Sequence, residues 1–100
     1  MKINILGAEY DYKEPLPKDD EGMVENSYLM GESRYYKKEI VVRKTLEPTE
    51  YKKHIQRHEI IHAFLHESGL EEKAQDEDLI NWISMQFPKM LEVFNKIGAL

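Results

Sequence analysis

HIQRHEIIHAFLHESG, residues 54–69, places all four histidines of the chain at four-residue intervals. Inside it His58-Glu59-Ile60-Ile61-His62 spells H-E-x-x-H. On a helix, residues four apart stack on one face, so His58 and His62 can hold one metal ion between them. Glu59 lies about 100° round the helix from His58, within reach of a water held at that ion. This is the pattern of two zinc ligands and the general base of a metallohydrolase. Ile60, Ile61, Ala63, Phe64 and Leu65 surround His62 with apolar side chains. A helix apolar on every side is buried on more than one side. Histidines and a glutamate in such a segment need partners, and a metal supplies them.

Working outward, Pro48 suits the first turn of a helix over residues 48–67, and Gly69 suits its end. Residues 71–78 form an acidic connector. Asp76 is a fair N-cap for a second helix, with Glu77 and Asp78 in a first turn where the dipole favours anions. Leu79, Ile80, Trp82, Ile83, Phe87, Met90, Leu91, Phe94 and Ile97 give that helix an apolar face. Pro88 lies inside the pattern and predicts a kink or a split.

Toward the N-terminus, residues 2–12 read as a strand interrupted at Gly7. Residues 13–22 carry two prolines and a glycine and read as a mobile loop. Residues 23–30 read as a weaker strand, Gly31-Glu32-Ser33 as a turn, and residues 35–46 as the clearest strand, centred on Ile40, Val41 and Val42. The expected fold class is α+β. A small antiparallel sheet packs on the motif-bearing helix, a second long helix follows, and residues 1–100 make one domain.

Composition narrows the functional classes. The chain has no cysteine, which excludes a disulfide framework and a thiolate metal site. Its net charge is −5 and no basic cluster is interleaved with aromatics, so nucleic acid is not the expected partner. The N-terminal stretch does not read as a signal peptide and no apolar run approaches a membrane span. The expected address is the cytoplasm, with no membrane partner. Nothing in the chain specifies an oligomeric state.

Two histidines are too few, since catalytic zinc usually takes three protein ligands and keeps a fourth position open. His54 and His66 continue the four-residue ladder but are displaced by about 6 Å along a straight helix. The alternative is a carboxylate from the next helix. Glu77 and Asn81 share a face, so Glu77 can bind the ion while Asn81 accepts a hydrogen bond from a ligating imidazole. Glu77 is the first choice; Asp78 and then His66 are the alternatives.

In these residues the chain resembles the gluzincin-type zincin metallopeptidases, and most of all the small phage- and mobile-element-encoded proteins related to the ImmA/IrrE family. The likeness rests on Lys38 to Val42, on Arg57 to Phe64, and on Glu77 to Ser84. It implies His58, His62 and Glu77 as zinc ligands and Glu59 as base. It also implies that the 38–46 strand borders the cleft and pairs with an extended peptide. The expected function is zinc-dependent hydrolysis of a peptide bond in a narrow cytoplasmic protein substrate. The alternative is a non-catalytic module that binds a peptide or protein and uses zinc for stability.

Overall fold

The computed structural model describes residues 1–100. Its elements are β1 (Lys2–Ile5), β2 (Ala8–Lys13), a 3-10 turn (Pro17–Asp19), α1 (Glu21–Glu25), β3 (Gly31–Arg34), β4 (Glu39–Val42), α2 (Glu50–Glu67), α3 (Glu71–Ala74) and α4 (Glu77–Ile97). The class is α+β, with one four-stranded sheet in the order β1-β2-β4-β3. No helix is long and apolar enough to cross a membrane.

The sheet is mixed, which corrects the antiparallel expectation. β1 with β2 and β3 with β4 are antiparallel, but β2 and β4 run parallel. Parallel neighbours need a long connection, and residues 14–38 provide it, β3 included; residues 14–30 lead from β2 into β3. That leading stretch is not a plain loop followed by a strand. Asp20 accepts a hydrogen bond from Met23 N–H at 3.1 Å, which caps α1 and buries Met23. The expected strand over residues 23–30 is therefore absent.

The two hairpins turn where the backbone permits. Leu6 and Gly7 both have positive φ, 52° and 91°, which matches the two-residue turn that suits twisted strands. The second hairpin turns at Tyr35–Lys38, with Lys38 at φ 54°, and not at Gly31. Gly31 lies in β3 for a different reason. A Cβ there would come within 2.9 Å of Ile55 Cγ2 and 3.1 Å of both Glu59 Cγ and the Val41 carbonyl oxygen. The missing side chain lets β3 close onto α2.

Ile40, Val41 and Val42 are fully buried, as a central strand covered on both faces requires. Ile5, Tyr10, Ile40 and Ala63 form the core between sheet and α2. α4 packs on α2 through Ile80 and Ser84, its only buried residues.

Pro88 neither splits nor ends α4, which runs unbroken past it. A proline cannot donate to the carbonyl four residues back. Here that carbonyl belongs to Ser84, and Arg57 Nε on α2 donates to it at 2.6 Å. The group freed by the proline thus becomes the contact that fixes α4 on α2.

Candidate metal centre

α2 carries His58 and His62 one turn apart, and both rings are buried. α3 is one turn long and redirects the chain so that α4 begins beside them. Asp76 accepts a hydrogen bond from Leu79 N–H at 3.0 Å and starts α4, which makes Glu77 its first residue.

The side chains then converge. His58 Nε2 and His62 Nε2 lie 3.1 Å apart. Glu77 Oε2 is 2.9 Å from His58 Nε2, and Glu77 Oε1 is 2.9 Å from His62 Nε2. A tetrahedral ion with bonds of ~2.05 Å has ligand edges of ~3.3 Å, so a movement of a few tenths of an ångström would accommodate one. His58, His62 and Glu77 are the one group in the chain whose ligand atoms meet this closely.

Proton counting points the same way. His62 Nδ1 is 2.6 Å from the Ala74 carbonyl oxygen, which can only accept, so Nδ1 carries the proton. In the neutral ring Nε2 then presents a lone pair to the Glu77 carboxylate. Two acceptors 2.9 Å apart need a cation between them or a second proton on the ring. His58 is held below the ordinary imidazole value, chiefly by burial, which favours its neutral, ligating form. Its buried Nδ1 has no hydrogen-bond partner.

Glu59 lies beside the triad and is 8% exposed. Burial pushes its carboxyl up to about 7, against the opposing pull of His62 and of a hydrogen bond from Ser33. Ser33 Oγ lies 2.5 Å from the Glu59 carbonyl oxygen and 3.0 Å from Glu59 Oε1, so β3 sits against both ends of the residue and its one hydroxyl proton serves either acceptor. A cleft of about 380 Å³ opens over the triad and Glu59 and is bordered by Gly31, Glu32, Ser33, Tyr35 and Gln75.

The other candidates stand elsewhere. Asn81 is exposed and accepts nothing from an imidazole; the Ala74 carbonyl takes that place, because α3 brings it against His62 first. Asp78 is exposed and points no ligand atom at the triad. His66 is one turn too far along α2. It stacks on Tyr35 with ring centroids 4.1 Å apart, and its Nδ1 lies 2.8 Å from Glu71. His54 Nδ1 faces Ser84 Oγ at 3.0 Å. The strand bordering the cleft is β3, not the 38–46 segment; β4 already has neighbours on both edges.

Two contributors escape a reading of the sequence. The Ala74 carbonyl has no side-chain signature. Ser33 sits in a stretch that reads as a turn. Tyr35, which also borders the cleft, places its hydroxyl 3.3 Å from His62 Nδ1 and 3.4 Å from the Ala74 oxygen.

No family model matches the chain, and comparison with curated proteins and with solved structures likewise finds no match.

Proposed function

We propose that the protein is a zinc-dependent metallopeptidase of the zincin type, acting on a protein or peptide substrate. The observation that carries the reading is the convergence of His58, His62 and Glu77 on one point beside a buried glutamate. Two imidazoles and one carboxylate are a donor set suited to catalytic zinc, which would keep a further position for water. When bound, zinc supplies Lewis-acid polarisation and lowers the pKa of water toward neutrality.

The rest belongs to the chain. His58 and His62 offer neutral nitrogen lone pairs, and Glu77 adds one negative charge. Glu59 takes the proton of the attacking water on its carboxylate and delivers it to the leaving amine nitrogen. Ser33 holds that carboxylate in place. β3 has no strand on its outer edge, so an extended peptide can add there and lie along the cleft.

A purified sample should hold one zinc per chain by elemental analysis. Zinc-loaded protein should cut members of a mixed peptide library read by mass spectrometry, and Glu59→Gln should keep the zinc and lose the cutting. Cutting by Glu59→Gln at the wild-type rate would remove Glu59 from its role.

One observation favours a second reading, a zinc-stabilised binding module. The three ligands come from two helices, so a metal would also clamp α2 to α4 without any chemistry. No cleavage by zinc-loaded wild type, together with unfolding on chelation, would favour the module.

A further inference from the structure

Beyond Ser84, α4 has no buried residue. Its apolar side chains nevertheless keep a strict alternation of four- and three-residue steps: Ile83, Phe87, Met90, Phe94, Ile97. That spacing is the seam of a helix paired with another helix. Phe87 is 45% exposed, Met90 36%, Phe94 37% and Ile97 71%, with Val93 beside them at 59%. The seam runs into an apolar groove of about 360 Å³, where Ile83 and Phe87 face Ile60, Ile61 and Phe64 of α2.

We infer that this face is a self-association surface: two copies pair α4 against α4 in antiparallel fashion, and the far end of each helix reaches toward the other's groove. Two observations select a second copy of this chain as the occupant. The first is area. The exposed seam side chains amount to roughly 500 Å² per copy, and with the groove walls a symmetric pair reaches the ~1,200 Å² at which stable interfaces begin. The second is charge. α4 starts under Asp76, Glu77 and Asp78, whereas its second half carries Lys89 and Lys96 against Glu92 alone. An antiparallel pair sets the basic end of each helix toward the acidic end of the other and opposes the helix dipoles favourably. Such a pair is also closed. The same patch serves both copies about a two-fold axis, which gives a dimer and no open filament. Lys89, Glu92 and Lys96 lie on the side of the helix away from the seam, so pairing desolvates no charge there and their pull on the other helix's acidic end is long-range, an aid to orientation that salt screens.

Sedimentation equilibrium of the full chain from ~1 to ~500 μM should give a dimer, and Phe94→Glu should weaken association at least ~30-fold with unchanged far-ultraviolet circular dichroism. Ile97→Lys, nearer the helix end, should act in the same direction and covers the case in which Phe94→Glu disturbs the helix. A wild-type chain that stays monomeric over that range overturns the inference, as does a trimer or larger assembly. The cysteine-free sequence allows single nitroxide labels at Met85, Lys89 and Lys96 in turn. In an antiparallel pair the distance between copies changes from position to position; equal distances at all three positions overturn the arrangement.

Discussion

On one side of α2, His58, Glu59 and His62 face a cleft bordered by charged and hydroxyl-bearing side chains. On the other, Ile60, Ile61 and Phe64 face a groove that is apolar except for Arg57. The first side is over-determined. His62 and Glu59 are each met by a group on another element, the Ala74 carbonyl and Ser33, and the Asp76 cap sets where Glu77 begins its helix. The second side is held by one strong polar contact, Arg57 to the Ser84 carbonyl, and its hydrophobic walls stay partly open. A polar site needs geometry, because each group must meet its partner within a few tenths of an ångström. An apolar face needs only area, so it can wait for a partner. This explains why residues 60–65 read as apolar all round while Phe64 remains 41% exposed.

The contrast breaks most sharply at His62. His62→Ala removes one of the three proposed ligands and should lower zinc affinity about 1,000-fold, out of a binding free energy on the order of 10–16 kcal/mol. Titration against a chromophoric chelator measures it. An affinity within tenfold of wild type would mean that the triad is not the site.

The other side of the helix should respond in stability and not in metal. Arg57→Met keeps the groove apolar and leaves the Ser84 carbonyl without its donor, at a cost of about 1–3 kcal/mol. Urea unfolding should show that loss while stoichiometric zinc is retained. Lost zinc with unchanged stability would reverse the roles assigned to the two faces.

The smallest effect lies at the end of α2, where Glu67 ties the helix to the sheet. Glu67 Oε2 accepts hydrogen bonds from Lys38 Nζ and Tyr10 hydroxyl, each at 2.6 Å. The Lys38 contact, and then the Tyr10 contact, hold its carboxyl below the ordinary glutamate value of 4.5. A depressed folded value stabilises the fold above the unfolded value, and this contribution is lost as pH falls through the folded one. Wild-type stability should therefore drop below about pH 4.5, and Glu67→Gln should flatten that limb by about 1 kcal/mol. Identical acid limbs in the two proteins would show that the anchor contributes nothing.

The site was far more legible in the sequence than the sheet. His58 and His62 are neighbours by helical repeat alone, and Glu77 was reachable because Asp76 advertises a helix start. Asn81 misled because backbone carbonyls are invisible in a sequence; Ala74 supplies one that lies closer. Gly31 misled for a related reason. Glycine marks either a turn or a close approach, and only the packing of Ile55 and Glu59 reveals the second. The turn itself falls to Lys38, a residue with no turn signature, whose side chain is tied to Glu67. Pro88 reads as a break until Arg57, thirty-one positions earlier, is known to take the freed carbonyl.

The Arg57–Ser84 contact has a mechanical consequence. The polar attachments of α4, that contact, the Ser84 hydroxyl facing His54 and Glu77 at its first residue, fall within the first eight residues of a 21-residue helix. The remainder, ~20 Å long at 1.5 Å per residue, is a cantilever clamped at one end. A tilt of about 5° at the clamp swings the free tip by about 2 Å. By the same leverage, a load on the tip is delivered as torque to the carboxylate that closes the triad.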